Sequence, residues 1–182
     1  MQGVPIMTEQ EHKELVRLEE EGKVCLGVDR VFARRFYTQT PLRLIEAEIG
    51  EAPHFEKMVV YTAFVGAPVL VLAMAGFSIL YFGWWSLLIV PLAVLLWGWY
   101  QSLSCMGEVR FLWISLLLAA AVGVYVSGVV SRRVSLVALL FVGALWMSRL
   151  LYISSTFFLR AVVVRNYKAF LWLRDQIIVR HF

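Results

Sequence analysis

SRRVSLVALLFVGALWMSRLLYISSTFFLRAVVVRNYK, residues 131–168, reads as an apolar helix that outruns a membrane. It opens on the Arg132–Arg133 pair and carries Arg149 inside the apolar run. It stays apolar for about ten residues beyond that arginine before Arg160. A hydrocarbon core of ~30 Å takes roughly 20 helical residues. Counted from Arg133, lipid therefore ends near Ile153, and Arg149 lies about one turn short of the exit. An arginine at that depth reaches the headgroups through its long stem, so the spacing predicts a snorkelling anchor flanked by Trp146 and Tyr152. The competing reading is an arginine that faces the bundle and binds an anion or a carboxylate. Its partner would be Glu108, the only acid between Lys57 and Asp175.

The rest of the chain agrees with a membrane reading. Sixty per cent of the 182 residues are hydrophobic and 16% charged, with a mean hydropathy of +0.74. Soluble domains are nearer 45–50% apolar and about 25% charged. No Asp, Glu, Lys or Arg occurs between Lys57 and Glu108. As one helix that run would be roughly 75 Å long, so it must fold back. YFGWW, residues 81–85, supplies the turn, with Gly83 for backbone freedom and aromatics suited to the headgroup level. The expected fold is an all-α integral membrane protein with four transmembrane helices in two hairpins, over about 58–82, 85–100, 109–130 and 134–154. Pro68 and Pro91 fall near the middle of the first two and predict kinks. In the third, Ala119, Gly123 and Ser127 recur at intervals of four, the small-residue pattern that lets helix backbones approach. Ordinary packing inside the four-helix bundle accounts for that pattern. The surrounding lipid bilayer is the first partner implied.

Residues 1–57 form a polar N-terminal segment. Thr8 and Glu11 have capping-box spacing and Gly22 is a stop, which predicts a helix over 9–21. KVCLGV, residues 23–28, is β-like. Thr40, Pro41 and Gly50 frame a second helix with Leu42, Ile45 and Ile49 on one face. No secretory-signal pattern is present in residues 1–21. Residues 159–182 form a basic, apolar tail: past 153 the helix continues, breaks near Asn166, and is followed by a short helix and a possible strand at IIV, residues 177–179. Its basic residues do not share one helical face, which argues against a surface-lying amphipathic helix. With the N-terminus inside, seven basic residues near helix ends (Arg43, Lys57, Arg110, Arg160, Arg165, Lys168, Arg174) are cytoplasmic against two outside (Arg132, Arg133). This places both termini in the cytoplasm, and a bacterial inner membrane is the expected location.

No catalytic, cofactor-binding or metal-ligating constellation is legible. His12, His54 and His181 have no metal spacing, and Cys25 and Cys105 give no disulfide framework. Glu51, His54 and Glu56 cluster weakly before the first span. No phosphate loop or nucleophile elbow occurs. The basic balance follows from topology and implies no nucleic acid. The expected function is a non-catalytic subunit or assembly component of a larger membrane protein complex. The alternative is a small oligomeric transporter or channel using Arg149 and the Pro68 and Pro91 kinks. A lipid-headgroup enzyme, drawing on Glu51, His54 and Arg149, ranks below both.

Charge divides the termini. Residues 1–21 carry six acids against two bases, and 44–57 four against one; residues 159–182 carry five bases against one acid. Opposite charge in one compartment predicts that the two ends dock into a small cap, whereas the alternative destination for the basic tail is anionic lipid headgroups. Deleting residues 168–182 is expected to make the N-terminal segment, residues 1–57, a fast target in limited proteolysis; unchanged protease resistance would count against docking.

Overall fold

The computed structural model describes residues 8–29, 32–33, 54–105 and 111–181. The expected helix over 40–50, Glu51 and Glu108 lie outside these residues. The described chain is mostly helical. In order it forms α1 (Glu9–Glu20), β1 (Val24–Val28), α2 (His54–Phe82), α3 (Ser86–Cys105), α4 (Phe111–Ser127), α5 (Arg132–Arg165), α6 (Tyr167–Leu173) and β2 (Ile177–His181). Two helical stretches, His54–Ser102 and Arg132–Arg165, are long and apolar enough to cross a membrane, and Phe111–Ser127 is a shorter apolar helix. Helices α2–α5 overlap the four stretches expected to be helical, and α5 continues to Arg165, eleven residues past 154. The all-α expectation is refined by one small antiparallel sheet.

The chain divides into two compact units, one of residues Met1–Met58 with Ile153–Phe182 and one of Val59–Tyr152. In the terminal unit, local signals set the elements. The Thr8 hydroxyl accepts from the Glu11 N–H while the Glu11 carboxylate accepts from the Thr8 N–H, so two orphan donors at the start of α1 are satisfied reciprocally. These Thr8 bonds, backbone first, hold the Glu11 carboxyl below the ordinary glutamate range. Past Glu21 the chain turns through Gly22 at φ +73°, a conformation that favours glycine.

β1 then pairs with β2 across about 150 residues of chain, with Leu26 opposite Val179 and Val28 opposite Ile177. The pattern in β1 is strict alternation, with Val24, Leu26 and Val28 buried. α6 is capped by the Asn166 side chain, which accepts from the Lys168 N–H, and it buries Ala169, Phe170 and Leu173. The helical break at Asn166 thus turns the chain back toward β2. The N- and C-terminal segments form one unit, as their charges predict.

In the helical unit, α2 buries a single stripe, Val60, Ala63, Ala67, Val71, Met74 and Ser78, at intervals of three and four. Met74 meets Ala93 of α3 and Val137 of α5, with Phe77, Phe82, Leu140 and Phe141 packed around them. α2 and α5 approach closely. A methyl group at Gly143 would stand 3.3 Å from Leu70 Cδ1, and one at Gly66 would stand 3.4 Å from Met147 Sδ. Gly83 (φ +52°) begins the short turn between α2 and α3, and the Ser86 hydroxyl donates to its carbonyl at 2.6 Å. Trp84 and Trp85 at this turn are exposed. Pro68 and Pro91 lie inside the continuous helices α2 and α3. Outward faces carry large apolar residues such as Leu72, Leu80, Leu88, Leu95 and Trp99.

Leu26 is 1% exposed and sits at the centre of the sheet. Leu26→Ala is expected to destabilise the terminal unit by about 2–4 kcal/mol. Hydrogen exchange of the strand amides, including the Asp29 N–H that donates to Gln176 O at 2.9 Å, would accelerate; unaltered exchange would refute the central role of that side chain.

Candidate functional site

α5 carries Ser135, Ser148 and Arg149 into the interior of the helical unit. Ser148 is 2% exposed and Arg149 5%. On α3, Trp97 and Gln101 are one turn apart and so share a face. Trp97 Nε1 donates to Ser148 Oγ at 2.9 Å, and Gln101 Nε2 donates to the same oxygen at 2.8 Å. The Ser148 hydroxyl in turn donates to Ala144 O at 2.8 Å. A serine hydroxyl has one proton and two lone pairs, so this one is saturated. Its proton is held by a backbone carbonyl, and both lone pairs are taken. That arrangement ties α3 to α5 and leaves the oxygen poorly placed to act as a nucleophile.

Arg149 follows directly. The expected snorkelling arginine is buried instead, with its guanidinium carbon 4.9 Å from the centre of the Tyr152 ring, itself 3% exposed. The aromatic face one turn along α5 receives the cation. The reason for the difference is the register of α5, which turns Arg149 to a covered side of the helix beside the buried Tyr152. What the structure assembles here is a buried cation beside a closed hydrogen-bond network. Glu108, the expected carboxylate partner, is outside the described residues.

The small-residue stripe has the opposite placement. Ala119, Gly123 and Ser127 are all exposed, and nothing lies within 4 Å of the space a methyl group at Gly123 would fill. Packing inside the bundle therefore does not account for the pattern. α4 is held at its other end: Ile114 is 4% exposed, Trp146 Nε1 donates to Ser115 Oγ at 3.1 Å, and Phe111 rests against Trp146 with ring centres 5.8 Å apart.

In the terminal unit, His12 is 4% exposed. Its Nε2 lies 3.1 Å from Val163 O, and a carbonyl accepts, so the ring proton is on Nε2. Phe170 and Tyr167 flank the ring at 4.8 and 5.6 Å. His12 is thereby a packing residue that joins α1 to α5 and α6. Glu19 Oε1 accepts from Arg160 Nη2 at 2.6 Å, Arg160 Nε at 3.0 Å and the Leu26 N–H at 3.3 Å, pinning α1, α5 and β1 at one atom. Sequence reasoning missed Ser148, Trp97, Gln101 and the Glu19–Arg160 pair. The available signal was a hydroxyl or amide interrupting an apolar run.

No family model matches the chain, and no curated protein or solved structure matches it either.

Ser148→Ala removes the acceptor of two half-buried donors, at a cost of about 1 kcal/mol for each. Thermal unfolding in detergent is expected to show the loss, and adding Trp97→Phe to Ser148→Ala should cost less than the single changes sum to. Additive costs would show that the two side chains are not coupled.

Proposed function

We propose that the chain is a four-span integral membrane protein acting as a non-catalytic subunit or assembly component of a larger membrane protein complex. The observation that carries this reading is the outward-facing stripe of Ala119, Gly123 and Ser127 on α4. Facing lipid, three small residues in a row gain little, whereas facing a second membrane helix they allow backbone approach and close van der Waals contact. The apolar outward faces of α2 and α3 support the membrane setting, since a contiguous apolar surface of this kind in water would associate. The excess of basic residues near one set of helix ends supports cytoplasmic termini, and a bacterial inner membrane is the proposed location. Anionic headgroups are a further proposed partner of the basic tail. We assign no enzyme activity.

The buried Arg149 favours a second reading, a small oligomeric transporter or channel, because an ionisable residue at membrane depth commonly marks a pathway.

Affinity purification of the full-length protein from its native membrane in mild detergent separates the two. Stoichiometric foreign subunits are the expected result. Gly123→Leu should reduce their recovery about tenfold, the size expected for a close helix contact. A clean homo-oligomer without partners would sink the subunit reading and direct attention to conduction by wild type and by Arg149→Ala.

A further inference from the structure

A groove of about 360 Å³ in the terminal unit is lined by Glu19, Glu20, Glu56, Phe157, Arg160, Ala161, Val164 and Arg165. Its wall on α5 is one helical face, since 157, 160, 161, 164 and 165 are three, four, seven and eight positions apart. α1 contributes Glu19 and Glu20, and Glu56 stands in the first turn of α2. The charges are not all spoken for. Glu19 is neutralised by Arg160, which commits Nε and Nη2 to it and leaves Nη1. Glu20, Glu56 and Arg165 carry no ion pair or hydrogen bond among the described residues. The groove therefore offers two unused carboxylates, one unused guanidinium and part of a second.

The apolar lining is as informative as the charge. Phe157 is 57% exposed on the α5 wall, and Phe55 and Met58, on either side of Glu56 in sequence, are 76% and 59% exposed. The charged and apolar surfaces occur where the apolar run of α2 begins and that of α5 ends. This suits an amphiphile whose head is charged and whose tail is not. The head must carry both signs. Three carboxylates against two guanidiniums leave a formal charge of −1, which disfavours a purely anionic head. Carboxylates satisfy a primary ammonium, which donates three hydrogen bonds, better than a quaternary one, which donates none. Guanidinium groups suit a phosphate.

We propose that this groove binds a phospholipid through its phosphoethanolamine headgroup, with the ammonium on Glu20 and Glu56, the phosphate on Arg165 and Arg160 Nη1, and an acyl chain along Phe157. The proposal rests on the membrane reading above and adds a ligand class to it. The lipid holds the acidic α1 segment against the basic end of α5, so it acts as a cofactor of the terminal unit's packing.

The test uses full-length protein stripped of lipid in detergent. Native mass spectrometry scores retention of phosphatidylethanolamine, phosphatidylcholine and phosphatidylglycerol with matched acyl chains. Preferential retention of phosphatidylethanolamine is expected, reduced about fivefold by Glu56→Gln and by Arg165→Ala, as for partly exposed charge contacts. Protease resistance of the terminal unit checks that each variant is folded. Equal retention of all three lipids, or a preference that both folded variants keep, overturns the proposal. Displacement by soluble phosphoethanolamine at equal concentration overturns the lipid as the source of the headgroup. Resistance of the protein to alkaline extraction from its membrane is measured in parallel. Resistance without lipid preference overturns the groove alone, and ready extraction overturns the membrane reading with it.

Discussion

The structure leans on α5. At 34 residues it is roughly 51 Å long, well beyond a ~30 Å hydrocarbon core. Its backbone donors and acceptors are satisfied within the helix, so it can remain continuous through whatever environment surrounds each part. Within each unit, neighbouring helices meet it at identifiable residues. α2 reaches it through Gly143 and Gly66, α3 through Ser148, and α4 through Trp146. In the terminal unit, α1 reaches it through His12 and Glu19. Its sequence contributes to both compact units, which explains why it is the hardest in the chain to divide into spans.

Features decided within a few residues were legible. Thr8 with Glu11 announces the start of α1, Gly22 its end, and Asn166 the break between α5 and α6, because capping and backbone conformation are local matters. The two strands were legible as β-like pieces, and opposite charge at the two ends pointed to their meeting. Features decided by register between distant elements were not. The Glu19–Arg160 pair joins residues 141 apart, and nothing near either residue specifies the other. The burial of Arg149 depends on which side of α5 is covered by its neighbours. Spacing along one helix does not contain that information, and the same side chain is equally able to snorkel or to be buried. For Ala119, Gly123 and Ser127 the spacing was plain but the direction was not.

The arrangement of polarity in the helical unit is inverted relative to a soluble domain. Ser78, Ser86, Ser135, Ser148 and Arg149 are buried, whereas leucines, valines and tryptophans cover the outside. On the membrane reading, apolar burial no longer distinguishes inside from outside, because lipid tails are as apolar as leucine. Helix order must then come from contacts lipid cannot replace. Hydrogen bonds such as Trp97 to Ser148 are one kind, and close backbone approach at Gly66 and Gly143 is the other. Both kinds occur between α5 and its neighbours.

α4 is the exception that gives the functional reading its direction. Among the described residues it makes one hydrogen bond and one aromatic contact to α5, and both fall in its first five residues. Beyond Ile114, Ala119, Gly123 and Ser127 are exposed. A helix held at one end, with a surface shaped for close approach at the other, is under-determined by its own chain. If lipid alone met that surface, larger side chains would fill the space at no cost in packing. On the proposed reading, a second helix against Gly123 would supply the contacts that α4 lacks, by the same two means that hold α2 and α3 to α5.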